Sequence, residues 1–251
     1  MAGHSKWANI KHKKGAADKK RGKIFSKLAK EIMVAAKNGG GDADKNPRLR
    51  TALVAAKSAN LPNDNIDRAI KKGTGDLEGV EFQELIYEGY APGGTALIVD
   101  VLTDNKNRSA SDVRMIFDRN GGNLGNSGTV MWMFNRVAKF VVVGENADEE
   151  KLMDIVLEAG AEDIEIDGDI AEIIAPPDSF EDVSKALEDA GIQTEEAGIV
   201  LHPENRVEIE CEKEAAKVLR IIDKFEDLDD VQNVYSNYSI SDEVMEKTEE
   251  I

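Results

Sequence analysis

Basic charge is concentrated at one end of this chain. The first 72 residues hold 18 Lys or Arg and 6 acids, whereas residues 73–251 hold 14 and 43. The head therefore carries +12 and the body −29, within a formal net charge of −17. A head this rich in lysine must build its own small apolar core and keep its charged faces in water. A basic head on an acidic body is also the footprint of a polyanion binder whose other surfaces are held off the polyanion.

The head reads as helices. Residues 1–15 show no apolar periodicity and read as an extended arm. From Gly22 onward, Ile24, Phe25, Leu28, Ile32, Ala35 and Ala36 fall on one side at about 100° per residue. Lys23, Lys27, Lys30 and Lys37 fall on the other. Gly39-Gly40-Gly41 ends this helix. Asn46 caps the next, with Pro47 at its first position. Leu49, Ala52, Leu53 and Ala56 give that second helix an apolar stripe. A third helix covers Asn63 to Lys72, with Gly73 as its stop. The spacing predicts a three-helix bundle within residues 1–79.

Beyond the GTGDLEG linker the pattern becomes mixed α and β. Strands are expected at Phe82–Tyr90 and Thr95–Thr103. A capping box at Ser109–Asp112 opens a helix, and Val130–Phe134 is expected as a strand with Trp132 facing the same way as Val130 and Phe134. Residues 138–205 then read as βαββαβ, the ferredoxin-like split unit. A strand over Arg206–Cys211, a helix with Ala215, Leu219, Ile222 and Phe225 inward, and a strand over Val231–Tyr235 follow. These complement the elements before residue 138. The fold class is α+β and multidomain: an N-terminal three-helix bundle (1–79), a middle α+β domain (80–137 plus 206–237), an inserted ferredoxin-like α+β domain (138–205) and an acidic tail (238–251), frayed from Ser241 to Ile251.

Several function classes have no support in the residues. No apolar run approaches the roughly 20 residues of a membrane span, and the positive N-terminus lacks the apolar core of a secretory signal. The single cysteine, Cys211, suits a reducing compartment and alternates with Val207 and Ile209 as a buried structural thiol would. His4, His12 and His202 form no zinc-ligand pattern. Asp163-x-Glu165-x-Asp167-Gly168 resembles the start of a calcium loop, but Ile174 stands where the closing glutamate is needed. Strand alternation accounts for those acids. Asp104-Asn105-Lys106-Asn107-Arg108 is a polar connection with no base and paired acid. The chain reads as non-enzymatic, without a cofactor or metal, cytoplasmic and monomeric.

Candidate binding residues are Lys6, Trp7, Lys11, His12, Lys13, Lys14, Lys19, Lys20, Arg21, Lys23, Lys27 and Lys30. A lysine run is ordinarily only a solvated face. Here the charge sits at one end, continues along one helix face and is interleaved with Trp7 and His12. Stacking could thus accompany phosphate contact. Packing of Trp7 onto the bundle is the other reading of that residue.

The start MAGHSKWANIKHKK, the segment NPRLRTALVAAKSANLPNDNIDRAIKKG, the YEGYAPGG turn and the run from TDNKNRSASDVR to GTVMWMF resemble the YebC/PmpR family. That family includes the mitochondrial translational activator of cytochrome c oxidase. The resemblance covers essentially the whole chain. It implies three domains, one inserted in another, and a cytoplasmic non-enzymatic regulator. Members are described as DNA-binding transcriptional regulators, or as translation factors that act on the ribosome and relieve stalling, for example at proline runs. DNA on the one hand, and ribosomal RNA or the ribosome on the other, are the partners these descriptions imply.

Overall fold

A computed structural model describes residues 17–78 and 81–248. These residues fall into two compact units, one of residues 17–78 with 136–200 and one of residues 81–135 with 201–248. The molecule is a multidomain α+β protein that begins with helices.

The first unit opens with α1 (Ala17–Gly39), α2 (Pro47–Ser58) and α3 (Asn63–Thr74). Ile32, Ala35, Leu49, Ala52, Ala56, Leu61, Ile66 and Ala69 form their common core. Gly22 lies inside α1, so the helix starts earlier than its apolar stripe. Ile24 is 46% exposed and does not join the packing face assigned to it. Length gives the reason. At about 1.5 Å per residue, α1 spans about 34 Å and α2 and α3 about 18 Å each, so neither short helix can cover α1 along its whole length. Val34, on the lysine side of the helix by angle, is buried instead. The stop of α3 is Gly75, with φ 88°, and not Gly73. Gly73 is needed inside the helix, because a Cβ there would lie 2.3 Å from the Met33 carbonyl oxygen of α1.

Asn46 ties this bundle together. Its Oδ1 accepts from the Leu49 N–H at 3.1 Å, capping α2. Its Nδ2 donates to the carbonyls of Ala35 and Gly40, each at 2.8 Å, and so holds the end of α1. Asn46→Ala is expected to cost about 2 kcal/mol in a urea titration, from one lost cap and two lost buried hydrogen bonds. Asn46→Asp is expected to cost about as much, because its carboxylate would face two carbonyl oxygens. A neutral Asp variant would mean that only the cap matters.

In the same unit, β4 (Phe134–Val143), α5 (Glu149–Val156), β5 (Asp163–Asp167), β6 (Ile170–Ala175), α6 (Phe180–Asp189) and β7 (Glu196–Pro203) follow in the order βαββαβ. The strands lie in the order β5-β6-β4-β7, a ferredoxin-like sheet. Phe140 and Phe180 stack at 5.0 Å in its core, beside Leu152, Val156, Val183 and Leu187. Asp148 caps α5, its carboxylate accepting from the Lys151 N–H at 2.9 Å. Val54 of α2 packs against this core, Arg50 pairs with Glu181, and Ser58 and Thr194 share a hydrogen bond of 2.9 Å.

The second unit contains β1 (Gln83–Tyr90), β2 (Ala96–Thr103), α4 (Lys106–Arg119), β3 (Asn123–Leu124), β8 (Val207–Glu208), α7 (Glu212–Glu226), β9 (Val231–Ser236), β10 (Tyr238–Ser239) and α8 (Asp242–Thr248). Its main sheet runs β3-β1-β2-β9. α4 and α7 cover one face, where Phe117 and Phe225 meet at 4.9 Å. Val218 and Ile221 are buried in α7, and the expected Leu219 and Ile222 are only partly so. The stretch expected to fray from Ser241 is instead helical over Asp242–Thr248. Tyr238, Ile240 and Met245 complete the same core. Cys211 is exposed, a correction to the buried thiol. The strand ends at Glu208, and Cys211 takes the position just before α7, where alternation no longer directs its side chain.

Val130–Phe134 departs furthest from its expected form. β4 begins only at Phe134, and Met131–Met133 form a 3-10 turn. Val130 and Phe134 are buried while Trp132 is 69% exposed. The cause lies on β1. Glu88 is 4% exposed, and its carboxylate accepts from the N–H groups of Gly128 (2.7 Å), Val130 (2.8 Å) and Met131 (2.8 Å). Its own carbonyl accepts from Gly125 at 2.8 Å. Amides that converge on one carboxylate cannot also form a ladder.

Candidate nucleic-acid interface

Of the candidate binding residues, Lys6, Trp7, Lys11, His12, Lys13 and Lys14 lie outside the described residues. Lys19, Lys20 and Arg21 stand on the first turns of α1. Lys23, Lys27 and Lys30 follow at spacings that keep them on one side of the helix, and all three are half-buried. Lys37, exposed near the helix end, continues the same side. The close approach at Gly73 puts that residue 3.2 Å from the Lys37 backbone nitrogen, measured to the position of a Cβ. Lys71 and Lys72, in the last turn of α3, therefore stand beside the basic end of α1. Spacing along one helix could not reveal that second contribution. It depends on a helix–helix contact, although Gly73 between apolar and basic positions was its signal.

Two of the basic side chains of α2 are engaged elsewhere, and the third, Lys57 in its last turn, is exposed. Arg48 makes a bidentate pair with Glu31 at 2.7 and 3.0 Å. Arg50 pairs with Glu181 and donates to the carbonyls of Ala43 and Asp44. α3 opens with Asp64 and Asp67 before its basic end.

The polar connection at 104–108 is structural. Asn105, not Ser109, caps α4, through the Arg108 N–H at 3.2 Å. Ser109 is buried and donates to Asp230 at 2.9 Å. Arg108 and Thr103 also donate to Asp230, at 2.7 and 3.0 Å. Burial alone would raise the Asp230 pKa. The donors Arg108, Ser109 and Thr103 outweigh it and hold the carboxyl below its ordinary range. This node fastens α4 to the strand end beside it. Among the described residues no group of His, Cys, Asp or Glu could hold a metal ion, and no helix is long and apolar enough to cross a membrane.

Residues 5–76 match the family model described as the TACO1/YebC protein N-terminal domain, and residues 82–238 match the model of the TACO1/YebC second and third domain. The chain belongs to the TACO1/YebC family. Its relatives include proteins named probable transcriptional regulatory protein. That of Desulforapulum autotrophicum is 56% identical over 97% of this chain and 98% of its own length. Those of Desulfatibacillum aliphaticivorans and Treponema pallidum are 55% and 54% identical, each over 98% of this chain and 99% and 100% of their own. A crystal structure of a conserved hypothetical protein from Aquifex aeolicus superposes with a TM-score of 0.84 at 47% identity, covering 93% of this chain and 96% of that one. As a TACO1/YebC chain, the molecule places its basic helices in the matched N-terminal domain. Its exposed Trp132 lies in the second matched segment.

Proposed function

We propose that this chain is a non-enzymatic nucleic-acid-binding regulator, of the transcriptional kind that the relatives' names give. It acts as a cytoplasmic monomer through its helical head. The division at 1–79, 80–137 with 206–237, and 138–205 belongs to the same proposal: a binding head carried by two acidic α+β domains. The observation that carries it is the lysine side of α1, continued by Lys71 and Lys72 of α3, on a chain of net charge −17. Cations on one helix face neutralise successive phosphates, and the acidic body resists any other placement of the polyanion.

A ribosome- or ribosomal-RNA-binding translation factor is the second reading. One arrangement favours it. Base reading in a DNA groove needs outward donors on a recognition helix. In α2 the arginines are tied to Glu31 and Glu181, and α3 leads with acids. Phosphate and shape contact without base readout suits structured RNA. Ultraviolet crosslinking in cells, with sequencing of bound RNA and bound DNA from one preparation, separates the two. Enriched RNA supports the translation reading and enriched DNA the transcriptional one. Crosslinks to neither nucleic acid would remove the proposal.

A further inference from the structure

We infer that Trp132 is a stacking platform for one unpaired nucleobase, a second contact that rests on the proposed nucleic-acid function. Trp132 is the most exposed large apolar side chain among the described residues, at 69%, and the next stands at 53%. A scattered exposed apolar residue needs no explanation by itself. This one is built into place. Its Nε1–H donates to the Thr129 carbonyl at 3.1 Å. Thr129 in turn closes a tight turn, its N–H and hydroxyl both donating to the Asn126 carbonyl, at 3.2 and 2.6 Å. The Glu88 carboxylate fixes the amides on either side of that threonine. Val130 and Phe134 anchor the turn in the core. An indole held at its edge, with most of its surface in water, binds a planar partner at little conformational cost.

Charge selects the partner. Residues 119–135, the segment that carries Trp132, include Arg119 and no Asp or Glu, although about one residue in four is acidic across 73–251. Two carboxylates approach this loop: Glu88 spends its oxygens on backbone amides, and Glu204 accepts from the Asn135 side chain at 3.0 Å. The loop's own segment is therefore a gap in the acid content of the body, and Asn126 and Ser127 of its turn are exposed. Such a gap fits a base on a phosphate backbone better than it fits a basic protein. Because every base has a π-face, the contact is tolerant of sequence.

The test uses the full chain carrying Trp7→Phe, so that Trp132 is the sole tryptophan. The probes are an oligouridylate and an oligothymidylate of about 12 nucleotides, and an abasic oligomer of the same length. Both base-bearing strands should quench Trp132 fluorescence, and the abasic strand should bind without quenching it. Quenching at lower concentration by the ribo- or the deoxy-oligomer identifies the source of the base. Trp132→Ala should weaken binding of the base-bearing strands about 5- to 150-fold and leave the abasic strand and the thermal midpoint unchanged. Trp132→Phe should restore most of the loss. Oligomers that bind with no quenching and no effect of Trp132→Ala would overturn the inference alone and make a protein contact the better reading. If no oligomer binds even at low salt, the proposed function falls with it.

Discussion

Replacing Glu88 with alanine should lower the stability of the second unit by about 3–5 kcal/mol, the largest loss expected of a single substitution in this chain. Three N–H groups lose their acceptor at once, each unsatisfied buried donor costs about 1–3 kcal/mol, and entering water recovers part of that. Glu88→Gln separates charge from volume. It keeps the shape but turns one acceptor into a donor facing a backbone N–H, so about 2–4 kcal/mol should still be lost. Urea midpoints for the two variants are the measurement, and a loss under about 1 kcal/mol for both would mean that water replaces the carboxylate. The contribution also depends on pH. Burial would raise the Glu88 pKa, but the backbone N–H groups of Gly128, Val130 and Met131 outweigh it and hold it below the ordinary glutamate value of 4.5. A carboxyl with a depressed folded pKa contributes stability that is present above 4.5 and is lost as pH falls through the folded value. Wild type should lose this stability on acidification, and Glu88→Gln should lack that part of the acid dependence.

Changing Lys23, Lys27 and Lys30 together to alanine should flatten the salt dependence of nucleic-acid binding. Each phosphate neutralised contributes about 0.7–0.9 to the slope of log affinity against log salt, so three lost contacts remove about 2–3. Extrapolated from 1 M to about 0.1 M salt, that is a loss of more than a hundredfold. The helix should survive, since alanine is the best helix former, and circular dichroism of the variant checks this. Unchanged affinity and slope in a folded variant would move the interface off α1. The full effect needs all three residues, because each is one contact among several.

Local signals were readable from the chain, and long-range ones were not. Asn46-Pro47 announced the start of α2 because a cap acts over three residues. The βαββαβ order was visible because each turn and apolar stripe is local. Ser109 looked like a cap until Asp230, 121 positions away, claimed its hydroxyl. Trp132 looked like a strand residue because alternation is the default for Val-x-Trp-x-Phe, and nothing nearby shows that a carboxylate 42 positions before Val130 gathers the amides. In α7, Leu219 and Ile222 form as good a stripe as Val218 and Ile221, and the choice between them belongs to the sheet. The interface divides in the same way. In the proposed interface, Lys23, Lys27 and Lys30 come from spacing alone, whereas adding Lys71 and Lys72 needs the Gly73 crossing.

The mismatch in length between α1 and its two partners couples shape to occupancy. The first turns of α1 place Lys19, Lys20, Arg21 and Lys23 at the positive end of a helix dipole, with lysines four apart at 19, 23 and 27. Both arrangements disfavour the helix, and Asp18 is the one acid in that first turn to offset them. A polyanion laid along these turns cancels both penalties. By linkage, whatever favours the helix favours binding, and the bound strand acts as the missing neighbour that the short helices are not long enough to be.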